Sequence, residues 1–386
     1  MKQRKLIIVV TTLVLSILGL ISFNQRTNVV KPNEPNEPNE SKEFTKPSTT
    51  STPNISATLS PLPPIEDKWS IWPPDLQNPE EADLFYIPFF GSCYLFNCWI
   101  NNNWNKTEKC QVDSIYLEPL MNYIIQNFPY WNRTNGIDHF IIHPMDNTDD
   151  YYEKKDIFHN AIYLTTSGDK RNLRNQKFRR YRNIVIPNTT PILNIYNLNP
   201  NDYTDRVSIR DIKGIFRGCC ANVNVTDDYS GIRHVIFNGL KGLPGWDIEE
   251  KSSSIDEYAY LLARAKYGLA PSGWMLDPIP IWEYFAFGVV PVVIADGIIE
   301  PFEDDMDWDS MIVRIRRSEA LIINEILDAI SEDEYVKKRE RVSLIGKNMV
   351  INYGYTWHYI VRNFCRMLKI VKHEIIDIEG YDYQSI

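Results

Sequence analysis

The chain has 386 residues, 44% of them hydrophobic and 24% charged, with a net charge of -9. This is the balance of a globular protein too long for one ordinary core, and it excludes the basic excess of a nucleic-acid binder. Six cysteines without a pair of Cys-x-x-Cys motifs speak against a structural zinc site; one or two disulfides in an oxidising compartment are expected, with their pairing open.

Lys2, Arg4 and Lys5 precede an uncharged apolar run from Leu6 to Phe23, 18 residues long and near the length that crosses a bilayer as a helix. The positive flank keeps residues 1–5 in the cytoplasm and leaves the bulk of the chain in a lumen. The run is longer than the apolar core of a cleaved signal and lacks a small-x-small site, so residues 6–23 are expected to be a retained signal anchor. Residues 24–68 carry three Pro-Asn-Glu triplets and a Ser/Thr/Pro tract. That composition buries too little apolar surface to offset its ordering entropy, so a disordered stem is expected. Asn-x-Ser/Thr sequons at Asn54, Asn105, Asn132, Asn188 and Asn224 are compatible with lumenal exposure.

Folded structure is expected from residue 69. Asp83 to Phe90 is an apolar and aromatic run that predicts a buried strand, which Pro88 pushes toward an edge, followed by a Gly91-Ser92 turn. Ile115 to Phe128 has helical spacing, and His139 to His143 predicts the next strand. His143 and Asp146 then lie where the chain leaves the sheet, at the strand end that faces a ligand cleft in an open α/β fold. Either is a candidate base; the plainer alternatives are a buried histidine bonded to backbone and a turn carboxylate. The basic segment from Lys170 to Arg182 reads either as an anion-attracting patch or as a solvated charged face. Asn183 to Asn188 predicts a short strand, and Thr189 to Tyr203 a crossover to a second domain.

That second domain opens with Gly214-Ile215-Phe216-Arg217-Gly218, a strand and turn of the kind that approaches nucleotide phosphates, with Arg217 at the turn. Ser254 with Glu257 forms a capping box for a helix to Lys266. The stretch from Tyr267 to Trp308 then predicts a βαβ unit: a strand at Tyr267 to Ala270, a loop, a helix at Ile281 to Phe287 closed by Gly288, and a β-branched strand at Val289 to Ala295. The Pro271 to Pro280 loop, including Ser272 and Gly273, and the Asp296-Gly297 loop are expected to line one pocket. Glu283 in the helix's first turn is placed to accept two ribose hydroxyls; the plainer alternative is a carboxylate favoured by the helix dipole. Helices at Ser318 to Ile330, from Ser331 to about Val350, and at Trp357 to Ile370 complete the chain. No GxGxxG, Walker A or GxSxG motif occurs in a fitting context, which excludes a dinucleotide oxidoreductase, a P-loop NTPase and an α/β-hydrolase.

The Tyr267 to Trp308 stretch resembles the C-terminal signature of the exostosin family of glycosyltransferases (GT47-type). The resemblance is carried by Leu269-Ala270-Pro271-Ser272-Gly273, Glu283, Gly288-Val289-Val290-Pro291-Val292 and Asp296 through Glu303, without a gap. Ala82 to Phe89 and Asp138 to Asp146 are similar to two further family segments. The resemblance implies a GT-B fold, with two Rossmann-like domains, here 69–200 and 201–350, facing across a cleft. Residues 351–386 would form a helix packing back on the first domain. It implies inverting transfer of a sugar from a nucleotide-sugar donor, UDP-linked in expectation, to a glycan or glycoprotein hydroxyl in the Golgi or ER lumen. Neither a cofactor nor a metal is implied, and a homo- or hetero-dimer is left open. Carried over residue by residue, Glu283 takes the donor ribose, Arg217 the diphosphate, Ser272, Gly273, Asp296 and Gly297 line the donor pocket, and His143 or Asp146 is the base. Pro280 stands where family members usually carry a basic residue, and Ser272 where some of them do. That departure keeps an alternative open, a catalytically inactive exostosin-like carbohydrate-binding or partner protein.

Overall fold

The computed structural model describes residues 79–102, 110–143, 155–171, 179, 181–218, 228–273, 276, 279–351 and 354–372. The apolar segment 6–23, the stem and Asp146 lie outside the described residues, and among those described no helix is long and apolar enough to cross a membrane. The chain divides into a unit over Met1–Asp83, of which a 3-10 turn at Pro79–Glu81 is described, and a unit over Leu84–Ile386 that holds everything below.

The first half of the larger unit is a parallel sheet in the order β1-β2-β3-β4, with β1 at Phe85–Tyr86, β2 at His139–His143, β3 at Ile162–Thr165 and β4 at Asn183–Val185. The register sets Phe85 opposite His139, Phe140 opposite Ile162, and Thr165 opposite Val185. β1 is far shorter than the apolar run that predicted it. Pro88 has no N–H for the ladder, Phe89 bonds back to Ile87, and Gly91 enters α1 (Gly91–Asn101) where a turn was expected. The signal for that helix was present: Ser92, Leu95 and Trp99 fall on one face, and all three are buried. α2 (Glu118–Asn127) and α3 (Pro129–Thr134) follow, and a Cys98–Cys110 disulfide ties α1 to the chain ahead of α2. Leu95, Trp99, Leu117, Trp131, Ile141 and Phe158 form this half's core.

A crossover through a helical turn at Pro191–Ile195 and α4 (Asn201–Thr204) leads to the second sheet. Its elements are β5 (Ile212–Arg217), α5 (Asp228–Leu240), β6 (Trp246–Glu249), α6 (Ile255–Arg264), β7 (Ala265–Pro271), α7 (Pro280–Phe287), β8 (Val290–Ile294) and β9 (Val313–Arg314). All pairings are parallel, in the order β6-β5-β7-β8-β9. Local chemistry explains the boundaries. The Ser254 hydroxyl accepts the Glu257 N–H at the start of α6, and Gly288, at φ +63°, ends α7 in the left-handed conformation that favours glycine.

α7 is buried along most of its length, with only Pro280 and Ala286 partly exposed. Trp282, Tyr284, Phe285 and Phe287 are each at most 1% exposed, and burial of each stabilises by roughly 2 kcal/mol or more. Tyr284 lies so close to β7 that a Cβ at Gly268 would sit 2.6 Å from its ring, and its hydroxyl donates to the Leu269 carbonyl at 2.9 Å. α8 (Ile323–Asp328), α9 (Glu332–Ile345) and α10 (Gly354–Lys372) close the described chain. α10 returns to the first sheet, where Phe364 meets Phe140 of β2 at 4.8 Å between ring centroids.

Candidate functional site

In the second sheet, β6 and β7 leave from opposite sides of β5, so chain connections diverge between β5 and β7. An open parallel sheet opens a ligand crevice at the carboxyl ends of such strands. β5 ends there at Arg217, and β7 ends at Pro271 with Ser272 directly beyond it. Ser272 is buried, and its N–H donates to the Ile294 carbonyl at 3.0 Å, so the turn hugs the end of β8. Gly273 follows it, half-buried.

The two basic residues near this point behave differently. Arg217, expected to face the donor phosphates, folds its guanidinium toward β6. It pairs with the Asp247 carboxylate at 2.7 Å and donates to the Ser252 hydroxyl and to the Phe216 and Asp247 carbonyls. Arg233 on α5 instead lies over the divergence point: its Nε donates to the Ser272 carbonyl at 3.4 Å, and its guanidinium stands 5.7 Å from the Phe216 ring centroid. A cation therefore reaches the Ser272 turn from another element. Sequence reasoning missed Arg233, because its helix position shows nothing of the strand end it overhangs.

Glu283 is 6% exposed in the first turn of α7. Its carboxylate accepts the Tyr258 hydroxyl of α6 at 2.8 Å and the Ile192 backbone N–H from the crossover. Burial pushes its pKa up to about 7 against the pull of those two donors. Burial first, and then the neighbouring Glu283 charge, raises the Tyr258 hydroxyl well above its usual value. The carboxylate thus sits where two helices and the crossover meet, held ready by two donors and poorly solvated. Tyr258 was legible in part, since it lies on the inward stripe of an amphipathic helix and a buried tyrosine hydroxyl needs a partner.

On the first sheet, His143 ends β2 and is 4% exposed, with its ring stacked on Tyr163 at 4.9 Å and on Phe89 at 5.6 Å. Thr166 and Ser167 beyond β3, and Thr190 beyond β4, bury hydroxyls that have no hydrogen-bond partner among the described residues. Asp296 is exposed beyond β8 and accepts the Arg317 N–H at 3.2 Å. Gly297, at φ +85°, is a junction between halves: its carbonyl accepts the Lys170 N–H at 2.7 Å, and a Cβ there would meet Arg171 at 2.6 Å. Asp296 and Gly297 therefore share the sheet edge with Ser272, but their contacts go to Arg317 and to the first half. In the acidic run after them, Asp305 is bound by Arg362, Arg366 and Asn363 of α10. Among the described residues no group of three His, Cys, Asp or Glu side chains is arranged to hold a metal.

A family model for the exostosin GT47 domain matches residues 62–330. This chain belongs to the exostosin GT47 family. Among curated relatives, the exostosin chain is 27% identical over 307 residues to "Probable glucuronosyltransferase 47 A" of Physcomitrium patens, covering 75% of its own length and 65% of the relative's. It is 30% identical over 277 residues to "Probable beta-1,4-xylosyltransferase IRX10" of Arabidopsis thaliana, covering 68% of its own length and 63% of the relative's. The chain thus spans a little under two thirds of the length of these two relatives. A glycosyltransferase from Rickettsia africae ESF-5, known from a crystal structure, superposes with a TM-score of 0.36 at 11% identity over 66% of this chain and 80% of that one.

Proposed function

We propose that this exostosin is a glycosyltransferase of the GT-B arrangement that moves a sugar from a nucleotide-sugar donor to a hydroxyl of a glycan or glycoprotein. The observation that carries the reading is the buried Glu283 carboxylate beside the divergence of β5 and β7, with Arg233 over the adjoining Ser272 turn. A desolvated carboxylate that keeps lone pairs for two more donors suits a ribose diol. A guanidinium beside a tight backbone turn suits a diphosphate. In this reading Arg233 takes the diphosphate and Arg217 braces the β5–β6 edge. The Ser272 and Gly273 turn approaches the donor, and Asp296 and Gly297 shape the junction beyond it. His143 or Asp146, leaving β2, removes the proton from the acceptor hydroxyl as it attacks the anomeric carbon with inversion.

The relatives' names point to a glucuronosyl or xylosyl donor, and the nucleotide proposed to carry it is UDP. Charge on the departing diphosphate falls to side chains and helix ends, without a resident metal. We further propose a lumenal, type II placement, with the Cys98–Cys110 disulfide suited to an oxidising compartment. The test is to incubate the full chain with UDP-glucuronate, UDP-xylose and other nucleotide sugars plus glycan acceptors, and to measure release of free nucleotide. UDP at one hundred times its dissociation constant should also stabilise the fold by about 2.7 kcal/mol. No release from any donor, together with no thermal shift, would refute the reading in favour of a non-catalytic partner that has kept the fold.

A further inference from the structure

Away from Glu283, the Ile299 to Asp304 loop crosses from the second half to the edge strand β4. Ile299 donates its N–H to the Gly168 carbonyl at 3.0 Å, and Phe302 donates to the Val185 carbonyl at 3.3 Å. With α10 this loop bounds a half-open cavity of about 270 Å3, slightly below the usual range of drug-sized ligand pockets and large enough for a single small ring. Its apolar lining comes from Ile184, Val185, Ile299 and Met367, while the Tyr181 ring, 65% exposed, contributes an aromatic wall.

Among the described residues, each carboxylate on the cavity wall has a cationic partner. Lys170 pairs with Glu303 at 2.9 Å, Arg314 with Glu300 at 2.7 Å, Arg171 with Asp169 at 3.1 Å, and Arg366, which binds Asp305 more closely, lies 3.6 Å from Asp304. A phosphate or a carboxylate entering here would have to break a pair or leave net charge in a half-enclosed space, and a cation faces the same cost. A neutral polyol meets no such cost. Glu300 and Glu303, each paired with one cation, keep lone pairs for hydroxyl donors. Asn183, in the same wall, buries an amide oxygen on which no donor falls among the described residues. An aromatic face, an unsatisfied amide acceptor and neutralised carboxylates together match the alternating apolar faces and hydroxyl rims of a sugar ring.

We propose that this cavity is a saccharide subsite, separate from the nucleotide-sugar site, that takes one neutral sugar ring of a glycan. That the glycan is the acceptor of transfer rests on the reading above; the binding itself does not. The full chain is titrated calorimetrically with neutral β-1,4-linked hexaoses of xylose, glucose and mannose, and with hexagalacturonate as the acidic counterpart. At least one neutral hexaose binds, hexagalacturonate binds more weakly, and Tyr181→Ala weakens the neutral hexaose at least about tenfold. Tyr181 is exposed, so its loss leaves the melting temperature unchanged, and Met367→Trp, which fills the cavity, reproduces the loss of binding. Glu283→Gln leaves hexaose binding intact. Failure of every neutral hexaose to bind, equal or tighter binding of hexagalacturonate, or full affinity in both Tyr181→Ala and Met367→Trp would each overturn the proposal. A chain that releases no nucleotide from any donor but binds a hexaose through Tyr181 would refute the transferase reading and leave this one standing.

Discussion

Replacing Glu283 by Gln tests the site's electrostatics and its function in one protein. Burial raises the Glu283 pKa from 4.5 to about 7, so the folded state holds the proton more tightly than the unfolded chain does. The sign follows from linkage. The stability that the neutral carboxyl confers is fully present below pH 4.5 and is lost as pH rises through 7. That rise corresponds to roughly 3 kcal/mol once the group is fully ionised. Gln matches the neutral carboxyl in shape, and it can accept the Ile192 N–H while donating to the Tyr258 oxygen. Its stability should therefore lack that slope. In urea titrations between pH 4 and 8, Glu283→Gln should equal the parent at pH 4 and exceed it by up to about 3 kcal/mol at pH 8. The same variant should lose at least about a hundredfold in kcat/KM for the donor, because charge-assisted bonds to two hydroxyls are worth about 1.5–3 kcal/mol each. A difference in stability that stays flat with pH, or a less stable variant at pH 8, would refute the burial argument; undiminished turnover would refute the ribose assignment.

Arg233→Ala should raise the donor KM at least about tenfold with little effect on stability, whereas Arg217→Ala should leave Asp247 and Ser252 without their partner and destabilise by about 2–3 kcal/mol. Steady-state kinetics and chemical denaturation run on both variants separate the two roles, and the reverse pattern would exchange them. Changing Cys98 and Cys110 together to Ser should cost about 2–3 kcal/mol, seen as a lower urea midpoint than that of the oxidised parent. Gly268→Ala should destabilise by about 1–3 kcal/mol, since the added methyl meets the Tyr284 ring between β7 and the largely buried α7; a neutral effect would show that the ring can move aside.

The elements of the second half were largely legible because their signals are local. The Ser254 and Ser331 caps, the Gly288 stop and the β-branched run of β8 lie within a few residues of the structure they specify. β1 and α1 were misread because an aromatic run and a Gly-Ser pair carry two meanings, and Pro88 decides between them only once β2 is alongside. The positions of the site residues along the strand ends were also legible, since the alternation of strands and helices in a parallel sheet puts loops of one kind on one edge.

By itself the sequence determined the α/β class, the βαβ unit around Glu283 and the family to which the chain belongs, because each depends on short-range periodicity or on contiguous motif residues, whereas β3, α5 and β6 were not predicted. Only the tertiary structure decided which charges face the crevice. Arg233 reaches Ser272 across 39 residues, Tyr258 reaches Glu283 across 25, and Arg217 is drawn away by Asp247 on a neighbouring strand. A carboxyl pKa of about 7 is not a property of glutamate itself; it arises when packing strips more water from the carboxylate than two hydrogen-bond donors offset, and that environment exists only once distant segments have met.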